Sequence, residues 1–303
     1  MTKERRESIK LHPWAVQWLE EVKATRAKMT FVYYGDAIRT FSGWMSEVGL
    51  AHFNREAVTQ FVISHKDKVP LSSLAKMEIQ IRTFYHWLKS AGHAADFPLG
   101  DDCLLNYRNE TRPDEFAITP PQYRVLMAWA AKSRNPYLKG ACIIGWNTGL
   151  RLADVAQLRW DQVNLDVKYP RIEIIPQKIK RLGRKLEIPM LSELRDFLTK
   201  EFAKENRDPI YVLPKMNECY QRNGHNQISG QFRKLCTRLG LPGITFHSLR
   251  HGFVTRSLAN GVPVAILSSI TGQSIAMIQR YLHPSIYEKS RHLKKALEGG
   301  NQL

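Results

Sequence analysis

Cysteine is scarce and scattered: Cys103, Cys142, Cys219 and Cys236 form no C-x-x-C pair. That spacing argues against a zinc site and a disulfide framework, and it fits reduced thiols in a cytoplasmic protein. No apolar run reaches about 18 residues, so no membrane-spanning helix is expected. The opening MTKERRESIK is polar and lacks an apolar signal core. There is no low-complexity tract and no internal repeat, which sets aside repeat and fibrous architectures. Acidic residues are also in short supply. Against 28 Asp and Glu stand 45 Lys and Arg, a net charge of +17 over 303 residues. Such an excess favours a polyanionic partner.

What is present reads first as a small helical domain. Residues His12 to Ala27 carry an amphipathic pattern, with Trp14, Val16, Trp18, Leu19 and Val22 apolar. Thr30 is expected to cap a second helix through Met45, and Asn54 a third to about Ser64. Leu71 to Ser90 is the clearest helix, with Leu74, Met77, Ile81, Phe84, Tyr85 and Leu88 at the helical period. The aromatic residues stand at core spacing and are read as packing. Lys66, Lys68, Lys76, Arg82 and Lys89 are the candidates for phosphate contact. Ala94 to Phe116, with Pro98, Gly100 and Pro113, reads as a linker. The expected domains are therefore residues 1–112 and 113–303.

The second domain opens with Thr119 as a cap before Pro120 and Pro121. An apolar helix from Tyr137 to Thr148 stops at Gly149, and Arg151 begins another. Arg171–Ile175 and Lys185–Pro189 alternate as paired strands around a basic tip, Gln177 to Arg184. Further helices are expected over Ser192 to Lys204, Asn226 to Leu239, His247 to Leu258, Val264 to Ser269, Ile278 to Tyr281 and Ile286 to Leu297. The fold class is mainly α with a small antiparallel sheet.

Two stretches carry chemistry. One is Thr148-Gly149-Leu150-Arg151-Leu152-Ala153-Asp154, followed by Leu158; the other runs from His247 and Arg250 through Thr271-Gly272-Gln273 to Tyr281. His247 and Arg250, at i and i+3, share a helix face that can meet one phosphate. Taken singly, Arg151, Lys178, His247 and Tyr281 would be surface or packing residues. In this order, with a basic hairpin between the two stretches, they resemble the tyrosine recombinases, the phage-integrase family, whose signature is T-G-x-R, then H-x-x-R, a G-H turn and a tyrosine. The motifs cover Thr119 to the C-terminus, and the first third agrees only in organisation.

The resemblance implies site-specific DNA cleavage and rejoining without metal or ATP. Tyr281 would attack phosphorus to give a 3′-phosphotyrosyl bond and a free 5′-hydroxyl. Arg151 and Arg250 would hold the non-bridging oxygens, a role suited to planar, permanently charged guanidinium. His247 would donate to the phosphate or relay the tyrosine's proton. A hairpin lysine would protonate the leaving oxygen; Lys178, directly after the strand, is preferred to Lys180. Asp154 would support the site from behind. Gln273 stands where the family has histidine or tryptophan, and its distance to Tyr281 is one residue short; its amide still offers an N–H. The resemblance further implies a tetramer on double-stranded DNA, with the segment after Tyr281 docking on a neighbour. Two rival readings are a type IB topoisomerase-like enzyme and a DNA-binding regulator that has lost catalysis.

Overall fold

A computed structural model describes residues 9, 11–50, 53–93, 105, 117–177 and 183–281. The chain divides into two compact units, Met1–Glu110 and Thr111–Leu303. The first is a bundle of α1 (Pro13–Thr25), α2 (Lys28–Glu47), α3 (Arg55–His65) and α4 (Leu71–Ser90). Its core is made of Trp18, Leu19, Ile38, Phe41, Phe61, Leu74, Ile81 and Phe84, all buried. The Asn54 side chain caps α3 by accepting from Ala57 N at 2.8 Å. Thr30 is not a cap. Arg26 and Ala27 are extended, so α1 and α2 meet almost without a loop and Thr30 falls in the first turn of α2. Arg82 is no surface cation either: it is buried on α4 and bonds Glu78 one turn away, Nε to Oε1 at 3.0 Å. Lys66, Lys68, Lys76 and Lys89 remain exposed.

The second unit is built around α6 (Leu138–Thr148), in which every residue but Lys139 is buried. Against it pack α5 (Pro120–Ala130), α7 (Leu152–Ala156), α8 (Ser192–Phe202) and α10 (Phe246–Ala259). A three-stranded antiparallel sheet stands in the order β1 (Val163–Asn164), β2 (Arg171–Ile174), β3 (Leu186–Pro189). Ile172 faces Ile188 and Ile174 faces Leu186, which puts four apolar side chains on the buried side. β1 is only two residues long and has no alternation by which to recognise it. α9 (Pro214–Arg238) begins twelve residues ahead of Asn226. Its first half is polar in sequence, yet Pro214 starts it, and Gly224 at φ 65° breaks it into two arms. α11 (Val264–Thr271) and α12 (Ile275–Gln279) complete the described part. Tyr281 lies just past α12, its N–H donating to Ile278 O at 2.9 Å. The expected helix over Ile286 to Leu297 lies outside the described residues.

Helices α6 and α10 lie in close contact. A Cβ on Gly252 would come within 2.6 Å of Ile118 O and 2.8 Å of the Trp146 ring. Glycine therefore lets α10 lie directly on its neighbours. Farther along α10, the Arg256 guanidinium stacks over Trp146 at 3.8 Å and donates to Trp146 O at 3.1 Å.

Candidate active site

Two helices of the second unit end in the same way. α6 stops at Thr148-Gly149 and α11 at Thr271-Gly272, with both glycines left-handed at φ 64° and 66°. In each, the threonine hydroxyl donates back one turn, Thr148 to Ile144 O at 2.6 Å and Thr271 to Leu267 O at 2.7 Å. Each then accepts an N–H from two residues ahead, that of Leu150 at 3.1 Å and that of Gln273 at 3.3 Å. Only glycine takes that backbone conformation without strain. The two caps thus present carbonyl oxygens at the negative ends of their helices.

Arg250 lies between them. Its Nη1 donates to Gly149 O at 2.6 Å and its Nη2 to Thr271 O at 2.9 Å, and the side chain is 1% exposed. One guanidinium therefore joins three segments that are far apart in sequence. Burial pushes its pKa down to about 10, helped by the charge of Arg151 and opposed by Tyr281 and Asp154. It stays charged at neutral pH because two helix ends and a carboxylate offset the lost hydration.

Around Arg250 the structure collects most of the residues singled out from sequence. Arg151, half-buried, is the N-terminal flanking residue of α7. Asp154 is buried, and burial raises its pKa, against the pull of the Gln177 N–H and the two arginines. Its Oδ1 accepts from Gln177 N at 2.9 Å, which anchors the chain at the residue before Lys178. Lys178 and Lys180 themselves lie outside the described residues. Arg184, at the other end of the hairpin, donates to Ser268 O on α11 at 3.4 Å. Gln273 is 3% exposed, and its Oε1 has no hydrogen-bond partner among the described residues. His247 is exposed on α10.

The Tyr281 hydroxyl meets a residue that the sequence reading passed over. It stands 2.6 Å from His251 Nδ1. His251 directly follows Arg250 and lies one turn beyond His247, whose ring it meets edge-on at 4.6 Å. Burial, and next the charge of Arg250, push His251 down to about 4, so the ring is neutral near pH 7. A signal was present in the sequence: H-x-x-R-H places both histidines on one helix face at i and i+4.

Both units of the chain match known protein families. Residues 117–287 match the Phage integrase family, and residues 15–92 match the Phage integrase, N-terminal SAM-like domain. The tyrosine recombinase XerD of Lacticaseibacillus casei is 24% identical over 278 residues, covering 88% of this chain and 91% of that protein. A tyrosine recombinase of Pseudothermotoga lettingae is 22% identical, with 93% and 96% covered. Among solved structures, the Tn1549 transposon integrase in complex with transposon right-end DNA superposes at a TM-score of 0.67, with 15% identity, 94% of this chain and 99% of that one covered. The XerH recombinase on difH DNA superposes at 0.65, with 13% identity and coverage of 92% and 84%.

Proposed function

This chain belongs to the phage integrase family, and from that premise we propose that it is a site-specific DNA recombinase acting through a tyrosyl–DNA link. Tyr281 Oη attacks the scissile phosphorus, the P–O5′ bond breaks, and a 3′-phosphotyrosyl bond forms. A 5′-hydroxyl then attacks that bond and reseals the strand. Bond energy is kept in the covalent link, so rejoining requires no ATP.

A phosphodiester resists attack because its anionic oxygens repel a nucleophile and its alkoxide leaves poorly. Arg151 and Arg250 neutralise the non-bridging oxygens, and His247 and Gln273 donate further hydrogen bonds. Two of the five guanidinium N–H groups of Arg250 go to backbone carbonyls, which leaves others to face the phosphate. Lys178, or Lys180 beside it, protonates the leaving oxygen. The observation that carries this reading is the pair of Arg250 bonds, because they fasten Arg151's loop and Gln273's turn to the helix that bears His247.

The DNA partner follows from the +17 charge and from the exposed lysines of the first unit. The similar Tn1549 integrase and XerH structures contain DNA. Four protomers on two duplexes, joined through the segment after Tyr281, is the assembly we propose, in the cytoplasm where the DNA lies.

The test uses a duplex that the protein itself selects from a random-sequence pool, nicked beside the cleaved phosphate so that the covalent adduct is trapped. Mass spectrometry is expected to find the nucleotide on Tyr281. Two intact marked duplexes are expected to exchange strands. Relaxation of a supercoiled plasmid without exchange would favour a topoisomerase-like enzyme, and binding without any adduct a silent regulator.

A further inference from the structure

We infer that His251 takes the proton of Tyr281 when the strand is cut and returns it when the strand is rejoined. This rests on the recombinase reading above. The Tyr281 oxygen and His251 Nδ1 are 2.6 Å apart, and the two rings lie 5.5 Å apart at 36°. The contact joins residues thirty positions apart, one on α10 and one just past α12. It is therefore a product of tertiary packing rather than a neighbour effect within one helix.

The chemistry requires such a group. A free phenol has a pKa of about 10 and is a poor nucleophile at neutral pH. Its proton must leave as the Oη–P bond forms. His251 is unprotonated near neutrality, and in the tautomer with the ring hydrogen on Nε2, Nδ1 is free of hydrogen and accepts the phenol's O–H. The balance is complete: Oη–H and P–O5′ break, Oη–P and Nδ1–H form, and an ammonium at the hairpin tip supplies the proton of the 5′-hydroxyl. Rejoining runs the same steps backward.

The surroundings also say when this base acts. Among the described residues, the charged and titratable groups near it include Arg250 next in the helix, Arg151 beside Arg250, His247 edge-on and Tyr281 itself. Without DNA the cation of Arg250 opposes a positive His251. Burial opposes it more and stays; a bound phosphodiester anion offsets the part due to Arg250 and makes the imidazole a stronger base. Tyr281 is therefore activated more strongly once a phosphate is in place.

The experiment is single-turnover cleavage of the selected nicked duplex by wild type, His251→Gln and His251→Asn. Each is made with tyrosine and with difluorotyrosine, whose phenol is more acidic, at position 281. The amides still accept a bond from the phenol but cannot carry off its proton. Duplex binding, read in the same samples, reports that the variants are folded. With tyrosine, both variants are expected to lose roughly 100- to 10,000-fold, the usual contribution of a general base. Difluorotyrosine is expected to restore at least roughly tenfold of that loss, while changing wild type little. Cleavage by the variants within about twofold of wild type, far below a general-base contribution, would overturn the inference. So would cleavage faster than wild type, which would mean that His251 merely parks the tyrosine. An equal loss with both tyrosines would assign His251 a structural role instead. Wild type forming no adduct would remove the recombinase reading itself.

Discussion

Each unit buries an arginine, and the two are kept in different company. In the first unit Arg82 bonds Glu78 within the same helix, and Glu78 Oε2 also accepts from Leu105 N at 2.9 Å. Opposite charges meet locally, within one turn of one helix. In the second unit Arg250 has no carboxylate bonded to it among the described residues. It is held by carbonyls from two other elements, with a second arginine nearby that disfavours its charge. A buried cation paired within its helix serves the fold. A buried cation set beside another cation and a tyrosine has surroundings that a bound anion would complete.

The sharpest way to separate the two is Tyr281→Phe. It removes one hydroxyl and leaves both arginines in place, so duplex binding is expected to persist while the covalent band disappears from a denaturing gel. A covalent band from this variant would dissolve the contrast altogether.

Next in size come matched changes at the two arginines. Arg82→Met takes from buried Glu78 the guanidinium that it bonds and is expected to destabilise the protein by about 3–5 kcal/mol; adding Glu78→Leu is expected to recover most of that loss in chemical denaturation. Arg250→Met leaves the Gly149 and Thr271 carbonyls without their partner, at about 1–3 kcal/mol each, and no second change restores cleavage. Recovery of cleavage by a compensating apolar residue beside Arg250 would make it a structural pair like the first.

A smaller effect is expected at Gln273, where stability and rate should move in opposite directions. Gln273→Leu removes a buried oxygen that lacks a partner, so thermal stability is expected to hold or rise. Losing one hydrogen bond to a charged phosphate, about 1.5–3 kcal/mol, corresponds to cleavage slower by roughly 10- to 150-fold. Cleavage within about twofold of wild type would place Gln273 outside the site, since a bond to a charged group contributes more than that.

The last is a pH effect on stability. His251 has its folded pKa at about 4, below its ordinary 6.5. The unfolded chain therefore binds the proton first, and stability falls as pH drops from about 6.5 toward 4 and then levels off. His251→Gln is expected to flatten that part of the denaturation profile. No pair in the first unit is invoked for this window, so an unchanged profile would put the proton elsewhere.

Much of the molecule is legible in the chain alone. The helix of Leu71–Ser90 shows in its period, and the caps at Asn54 and Thr119 show in single residues. The stops at Gly149 and Gly272 and the order of T-G-L-R, H-x-x-R and tyrosine are equally local. Such signals survive in sequence because they depend on neighbours within a turn or two, where the helical repeat and backbone sterics act. Packing decided the rest. It buried Arg82 and left the nearby lysines in solvent, although all are cations on polar stretches. It joined Arg250 to carbonyls 101 and 21 residues away, Asp154 to an N–H 23 away, and Tyr281 to a histidine 30 away. No local rule links such positions. They meet because a buried donor must find an acceptor within about 3 Å, and only the packed helices determine which one is there.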